Sequence, residues 1–332
     1  MSSDSKPKLY EFAGSCWANV PKLAIAEAGY PTDDIEWVSI NLAEGANFNP
    51  DFLKINPQGT VPTLVIGDQT WTDSTRDHQA SSSPSPSLRT HQHKHYRGGE
   101  SGGRRDLVFI LIVIVIVVVI VIVIVVVIVI VIVIVIVIVI VIVIVIVIVI
   151  IHAAAHDPNA TLLIATDDED RKEKANGLPK GFLEGRQKAL DKYAPEAPEE
   201  FKAFLQRKQQ ENKQLLDFYV TEPDAQLKAK IYEKGQQLWK SAGIAIRGVI
   251  TQALKKNEGP FAAGDTPSEV DFHIITWLAR TITNTGVEPG SPSSVAIPKL
   301  QQKTGGHGFD PVIAKYWDTW IERESFKSNK LH

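Results

Sequence analysis

Hydrophobic positions follow three different rhythms along this chain. From Lys8 to Phe12 apolar and polar residues alternate, which predicts a short strand. The apolar residues of Val20 to Ala28 recur at helical spacing, and Ala13-Gly14-Ser15-Cys16 forms the turn between the two elements. Gly29-Tyr30-Pro31 stops the helix, because neither glycine nor proline continues one cheaply. Alternation returns from Ile35 to Leu42, with Trp37, Ser39 and Asn41 on one side and Val38, Ile40 and Leu42 on the other. A βαβ unit follows. Asn49-Pro50-Asp51 then caps a short helix through Ile55, Val61 to Ile66 reads as strand three, Gly67-Asp68 as a hairpin turn and Gln69 to Thr72 as strand four.

The order βαβαββ fits a thioredoxin-like half-domain. Its most specific stretch is Asn56-Pro57-Gln58-Gly59-Thr60-Val61-Pro62-Thr63-Leu64. Pro57 ends a helix, Gly59 permits a positive φ, and Pro62 stands at the head of an apolar strand, where it removes a ladder donor. A cis bond before Pro62 would turn the amide and carbonyl of Val61 outward to pair with an extended peptide ligand. An ordinary loop into an edge strand is the other reading of the same residues.

From Asp157 onward the rhythm is helical and the composition charged, with few strand signals. Helices are expected over Glu199 to Tyr219, Asp224 to Lys256, Pro267 to Thr283 and Phe309 to Glu324, separated by Asn257-Glu258-Gly259-Pro260 and Pro289-Gly290-Ser291-Pro292. Ser268 followed three residues later by Asp271 predicts a capping box. Trp277, Trp317 and Trp320 fall in apolar stripes and belong to the core. The charge run Asp167 to Lys174 reads as a solvated helix face, within a segment (Asp157 to Pro198) that has room for an additional helix.

The third rhythm is none at all. Leu107 to Ile151 is an uninterrupted Ile/Val-rich tract, more than twice the ~20 residues needed to span a bilayer as a helix. It lacks Gly, Pro, Trp or Tyr to mark a turn or an interface, and one crossing would leave the two flanking halves on opposite sides of a membrane. Ile-Val alternation with both faces apolar describes an aggregation hazard better than a folded element. Ahead of it, Ser81 to Ser87 is disordered in character, and His91, His93 and His95 alternate in a basic patch that suits adventitious metal binding only. A dipeptide alternation follows from a six-nucleotide repeat. Residues 78–151 are therefore expected to be translated intron or simple-sequence DNA, dividing the chain into domains 1–77 and 152–332.

Composition adds bounds. The 332 residues carry a net charge of −3 and show no nucleic-acid footprint and no amino-terminal signal pattern. Cys16 is the single cysteine, so no internal disulfide forms, and a reducing, cytoplasmic compartment is expected.

Three motifs in register, Gly14-Ser15-Cys16 after strand one, Val61-Pro62 before strand three and Asp73-Ser74 after strand four, resemble the amino-terminal domain of soluble glutathione transferases. Ala26-Glu27-Ala28-Gly29 closing helix one strengthens the likeness, and the Ser268/Asp271 box after Phe261 to Gly264 is similar to one on the central helix of that family's helical domain. The resemblance implies an α/β thioredoxin-like domain followed by an all-α domain. It also implies an enzyme that uses glutathione as co-substrate without a metal, conjugates its thiolate to small hydrophobic electrophiles, and forms a homodimer. Membrane association would be only an artefact of the tract.

By that resemblance Ser15 is the activating residue. Its hydroxyl can donate to a sulfur anion while the start of the helix adds positive potential. As a plain N-cap it would have a structural role alone. Cys16 is the second catalytic candidate, by mixed-disulfide chemistry giving thiol reductase activity, or else a small buried hydrophobe. Asp73 and Ser74 would hold the α-amino and α-carboxylate groups of the peptide, Val61 and Pro62 its backbone, and Gln58 would add a side-chain amide. Phe12, Trp17 and the first long helix of the second half would line the electrophile site. A noncatalytic ligand-binding module of the same fold is the alternative. The family's third helix, which should follow Ser74, is not recognisable.

Overall fold

The structure is a computed structural model that describes residues 6–72, 104–256 and 258–331. They fall into two compact units, Met1–Arg76 with Ile144–His332, and Asp77–Val143.

The first unit opens on a four-stranded sheet of order β2-β1-β3-β4, with β1 Lys8–Glu11, β2 Glu36–Ser39, β3 Thr63–Ile66 and β4 Gln69–Trp71. β1 and β2 run parallel, joined by helix α1, Asn19–Glu27; β3 returns antiparallel to β1 and β4 antiparallel to β3. The register pairs Leu9 with Trp37 and Leu64, and Leu64 with Trp71, so these side chains share one face of the pleat. Tyr10 lies on the other face, 5.6 Å from the Phe52 ring of helix α2, Pro50–Ile55. Asn49 caps α2 by accepting from the Asp51 amide at 2.9 Å. The expected βαβαββ order is present, with each strand slightly shorter than its alternating pattern. β3 begins only at Thr63, because Pro62 has no N–H to give the ladder. The Val61–Pro62 peptide is cis.

After the sheet the same unit is helical. Helix α3, Arg104–His152, ends inside it and is followed by α4 Pro158–Leu163, α5 Asp168–Asn176, α6 Leu178–Tyr193, α7 Glu199–Val220, α8 Ala225–Ala245, α9 Thr251–Leu254, α10 Glu269–Thr283, α11 Ser293–Lys303, α12 Pro311–Ile321 and α13 Glu324–Asn329. The single helix expected over Asp224 to Lys256 is interrupted by a π-helical turn at Ile246–Ile250. There Arg247 donates to the carbonyls of Thr304, at 3.0 Å, and His307, at 3.2 Å. The segment 157–198 holds three helices rather than one additional one. Its charge run is not simply solvated. Lys174 turns inward to donate to the carbonyls of Thr161 and Ile164, at 3.0 and 2.8 Å, and pairs with Asp170 at 3.0 Å. Two carbonyls near the end of a neighbouring helix need donors, and the flexible lysine stem supplies them.

Helix α10 is the centre of this unit, with every residue from Val270 to Ile282 buried. Its capping box forms as expected. The Asp271 carboxylate accepts from the Ser268 amide at 3.0 Å and hydroxyl at 2.6 Å, and also from the Ala262 amide at 2.9 Å and the Tyr316 hydroxyl at 3.2 Å. Trp277, Trp317 and Trp320 are fully buried around it, as their spacing predicts.

The Ile/Val tract is helical throughout, which corrects the expectation of an unfolded, β-prone segment. A helix pairs its interior amides within its own length, whereas a strand needs a partner strand. Ile and Val reduce helix propensity by only about 0.5 kcal/mol per residue. The compact unit also takes in the tract from Ile144. Val147, Ile148 and Ile151 are buried there, while Val145, Ile146 and Val149 remain exposed. Positions i, i+1 and i+4 are one face of a helix, and a sequence of period two gives no hint of which positions those will be. In the second unit, taken by itself, Ile116–Val135 is long and apolar enough to cross a membrane.

Candidate active site

The turn between β1 and α1 carries the first two candidates. Its Ser15 amide donates to the Phe12 carbonyl at 2.8 Å, and the Ser15 hydroxyl oxygen accepts from the Ala18 amide at 3.3 Å. Ser15 is therefore not the N-cap of α1, a position that falls to Ala18. It stands one turn ahead of the helix, nearly buried, with its hydroxyl proton uncommitted among the described residues.

Cys16 lies on the inner side of the same turn, 1% exposed, and its thiol donates to the Thr276 carbonyl of α10 at 3.3 Å. Burial pushes the thiol up to about 12, with the negative charge of Asp157 adding to the effect and Arg280 opposing it. A thiol held protonated in this way is a poor nucleophile. The geometry favours the small-hydrophobe reading of Cys16 over the mixed-disulfide one.

The proline turn reaches the same place from the other side. Val61 is buried in a small cluster with Ala18 and Phe52, edged by Tyr10, Phe12, Ile40 and Leu42, which brings the turn of Ser15 and the turn of Pro62 together. Asn56, fully buried, organises the latter: its Nδ2 donates to the Thr60 carbonyl at 2.9 Å and to Thr63 Oγ1 at 2.9 Å, while its Oδ1 accepts from the Gln58 amide at 2.9 Å. Gly59 takes φ +61°, and a Cβ there would meet the Asn47 carbonyl at 3.0 Å, so glycine is required. Asn47 in turn donates to the Gly59 carbonyl at 2.8 Å. Gln58 is exposed on this turn. Asp73 and Ser74 lie outside the described residues, as do His91, His93 and His95. Among the described residues no group of three or more His, Cys, Asp or Glu is placed to hold a metal ion.

Several residues around Ser15 were not singled out by sequence. Arg280 of α10, 7% exposed, donates through Nη2 to the Gly14 carbonyl at 2.5 Å. Trp17 stacks on His152 with ring centroids 3.7 Å apart, and His152 Nε2 lies 2.9 Å from His273 Nδ1. The residues expected to line the electrophile site do not come together in one place. Trp17 faces the end of α3 and the start of α10, whereas α7, the first long helix, packs Phe201 and Leu205 against Phe48 and Leu53 instead. An apolar cavity of about 480 Å3 lies between α1, the Leu9/Leu64 face of the sheet and the first turn of α10; Pro62 lines it, and neither Phe12 nor Trp17 does.

With this geometry in view, residues 9–76 match the glutathione S-transferase N-terminal domain. The likeness to the glutathione S-transferase family is carried by this amino-terminal stretch. It is similar to glutathione S-transferase Z1 of Arabidopsis thaliana, 44% identical over 73 residues, covering 22% of this chain and 32% of that one. It is also similar to the tetrachloro-p-hydroquinone reductive dehalogenase of Sphingobium chlorophenolicum, 39% identical over 66 residues, covering 20% of this chain and 26% of the other. The match thus spans about a third or less of these curated relatives. Among solved structures, Gtt2 from Saccharomyces cerevisiae aligns with a TM-score of 0.37 and 14% identity, over 97% of this chain and 99% of its own. The turn of Ser15 and the turn of Pro62 both fall within the matched residues.

Proposed function

We propose that this chain binds glutathione and conjugates it to small hydrophobic electrophiles, with Ser15 as the activating residue. The observation that carries this reading is the pairing of two turns: an uncommitted serine hydroxyl ahead of α1, and beside it the Val61–Pro62 segment at the sheet edge. Only the thiolate of glutathione attacks, so the protein must favour S⁻ over S–H. A hydroxyl donated to the sulfur does this, helped by the partial positive charge of the helix start. Lowering a thiol pKa from about 8.5 by two units takes about 2.7 kcal/mol and raises the thiolate fraction at neutrality by roughly 25-fold. The thiol proton leaves to solvent, the sulfur lone pair forms a C–S bond at the electrophilic carbon, and a leaving group such as halide departs with its bonding pair. Val61 would hold the peptide backbone, with Gln58 and, beyond the described residues, Asp73 and Ser74 completing the subsite.

Thiol reductase activity through Cys16 is the weaker reading, because its sulfur is buried and its proton is given to Thr276. Calorimetric titration with glutathione and turnover of chlorodinitrobenzene test the proposal. Ser15→Ala should keep most of the binding heat and lose turnover. Absence of binding heat in the wild type, or full turnover in Ser15→Ala, would overturn it.

A further inference from the structure

We propose that Arg280 is a positioning residue for Ser15: together with the Thr276 carbonyl one turn before it on α10, it clamps the peptide on both sides of that serine. This rests on the reading of Ser15 given above. Thr276 accepts the Cys16 thiol at 3.3 Å, and Arg280 donates to the Gly14 carbonyl at 2.5 Å. Residues 276 and 280 are i and i+4, so they stand above one another on one helix face. Residues 14 and 16 flank the serine. The two contacts therefore fix the turn at both ends and leave only the side chain of Ser15 to be presented. Both bridge more than 250 positions of sequence, which ties the geometry of the turn to the core helix of the unit.

The placement of Arg280 is costly for a merely structural role. It is a cation 7% exposed, its burial cost offset only in part by Cys16 and Asp157, which face it, and its Nε is buried without a hydrogen-bond partner among the described residues. An apolar residue of similar length would fill the space without that desolvation. What the guanidinium adds is charge on the Gly14 carbonyl. That polarises the Gly14–Ser15 peptide and strengthens the bond its N–H makes to the Phe12 carbonyl, at 2.8 Å. It also places positive potential beside the atom that must face a thiolate.

Cys16 makes the clamp measurable without any substrate, since it is the single cysteine and is reached by a thiol reagent only when the turn opens. The test compares Arg280→Gln and Arg280→Lys in the full chain, using labelling by dithionitrobenzoate and the pH profile of chlorodinitrobenzene conjugation. Arg280→Gln should speed Cys16 labelling about tenfold or more and move the acidic limb of the kcat profile to higher pH, with KM for glutathione changing less than kcat. Arg280→Lys should return both toward wild type. Wild-type labelling and an unmoved limb in a folded Arg280→Gln overturn the clamp. Faster labelling with an unmoved limb, or without rescue by lysine, reduces Arg280 to core packing and overturns it as well. Should Arg280→Gln not fold, amide exchange in the wild type decides: the Ser15 amide should open with the α10 core, and exchange orders of magnitude faster overturns the clamp. Full turnover in Ser15→Ala would overturn the functional reading instead, and the labelling result would stand apart from it.

Discussion

Alanine substitutions along the end of α3 should reveal a helical face in a sequence that has none. Ile151 is fully buried; replacing it with Ala removes three carbons, a transfer loss of about 2.4 kcal/mol at ~0.8 kcal/mol per CH2. The cavity left behind raises this to about 3 to 4 kcal/mol. Val147, also fully buried, loses two carbons and should cost about 2 to 3 kcal/mol. The neighbours behave differently. Ile146 and Val149 are 47% and 60% exposed, so Ile146→Ala and Val149→Ala should fall within about ±0.5 kcal/mol, tilted toward stabilisation by the better helix propensity of alanine. The assay is urea unfolding of the full chain followed by tryptophan fluorescence, for which Trp17 against His152 is a local reporter. With m of about 3 kcal/mol/M, Ile151→Ala should lower the midpoint by about 1 M. A strand would give a different pattern, grouping 147, 149 and 151 against 148 and 150. Equal losses at Val147 and Val149 would refute the helical packing.

Two further outcomes follow from titration. The folded pKa of Cys16 lies above its unfolded value, so the folded state holds the proton more tightly; its contribution to stability is intact below about pH 9 and is lost progressively as pH rises toward about 12. Cys16→Ala should flatten the early part of that alkaline decline, read as Tm against pH, and an unchanged slope would count against the burial of the thiol. Glu27 behaves oppositely. Its hydrogen bond from Arg323, with a further one from Ser325, holds its carboxyl below the usual range despite partial burial, so the tie between α1 and the start of α13 contributes above the ordinary glutamate pKa and is lost as pH falls through the depressed value. Arg323→Ala should cost about 1 to 2 kcal/mol near neutral pH and little once Glu27 is protonated, and a pH-independent loss would refute the ion pair as its cause.

The local signals were legible wherever backbone chemistry acts within a few residues. Proline lacks an amide, glycine alone tolerates φ +61° at residue 59, and a carboxylate three residues after Ser268 reaches the cap. Those facts, with the alternation of strands one and two, give the βαβαββ order, the turn before β3 and the start of α10. The strand lengths were overestimated, because alternation continues where hydrogen bonding stops. The charge run at Asp167 to Lys174 misled for a related reason, since charge in a sequence does not say whether an inward carbonyl is waiting for it.

By itself, then, the sequence determined the turn chemistry of this protein: Ser15 ahead of a helix and Val61–Pro62 ahead of a strand, each dictated by residues nearby. Only the tertiary structure decided what faces those turns. Arg280, Thr276 and His152 reach the turn of Ser15 from far along the chain, and Val147, Ile148 and Ile151 were chosen for burial from a run of near-identical neighbours. Hydrogen-bond and dihedral preferences are local and leave a mark in the residues that obey them. Burial depends on which surfaces meet, and a tract of uniform hydrophobicity carries no mark of that.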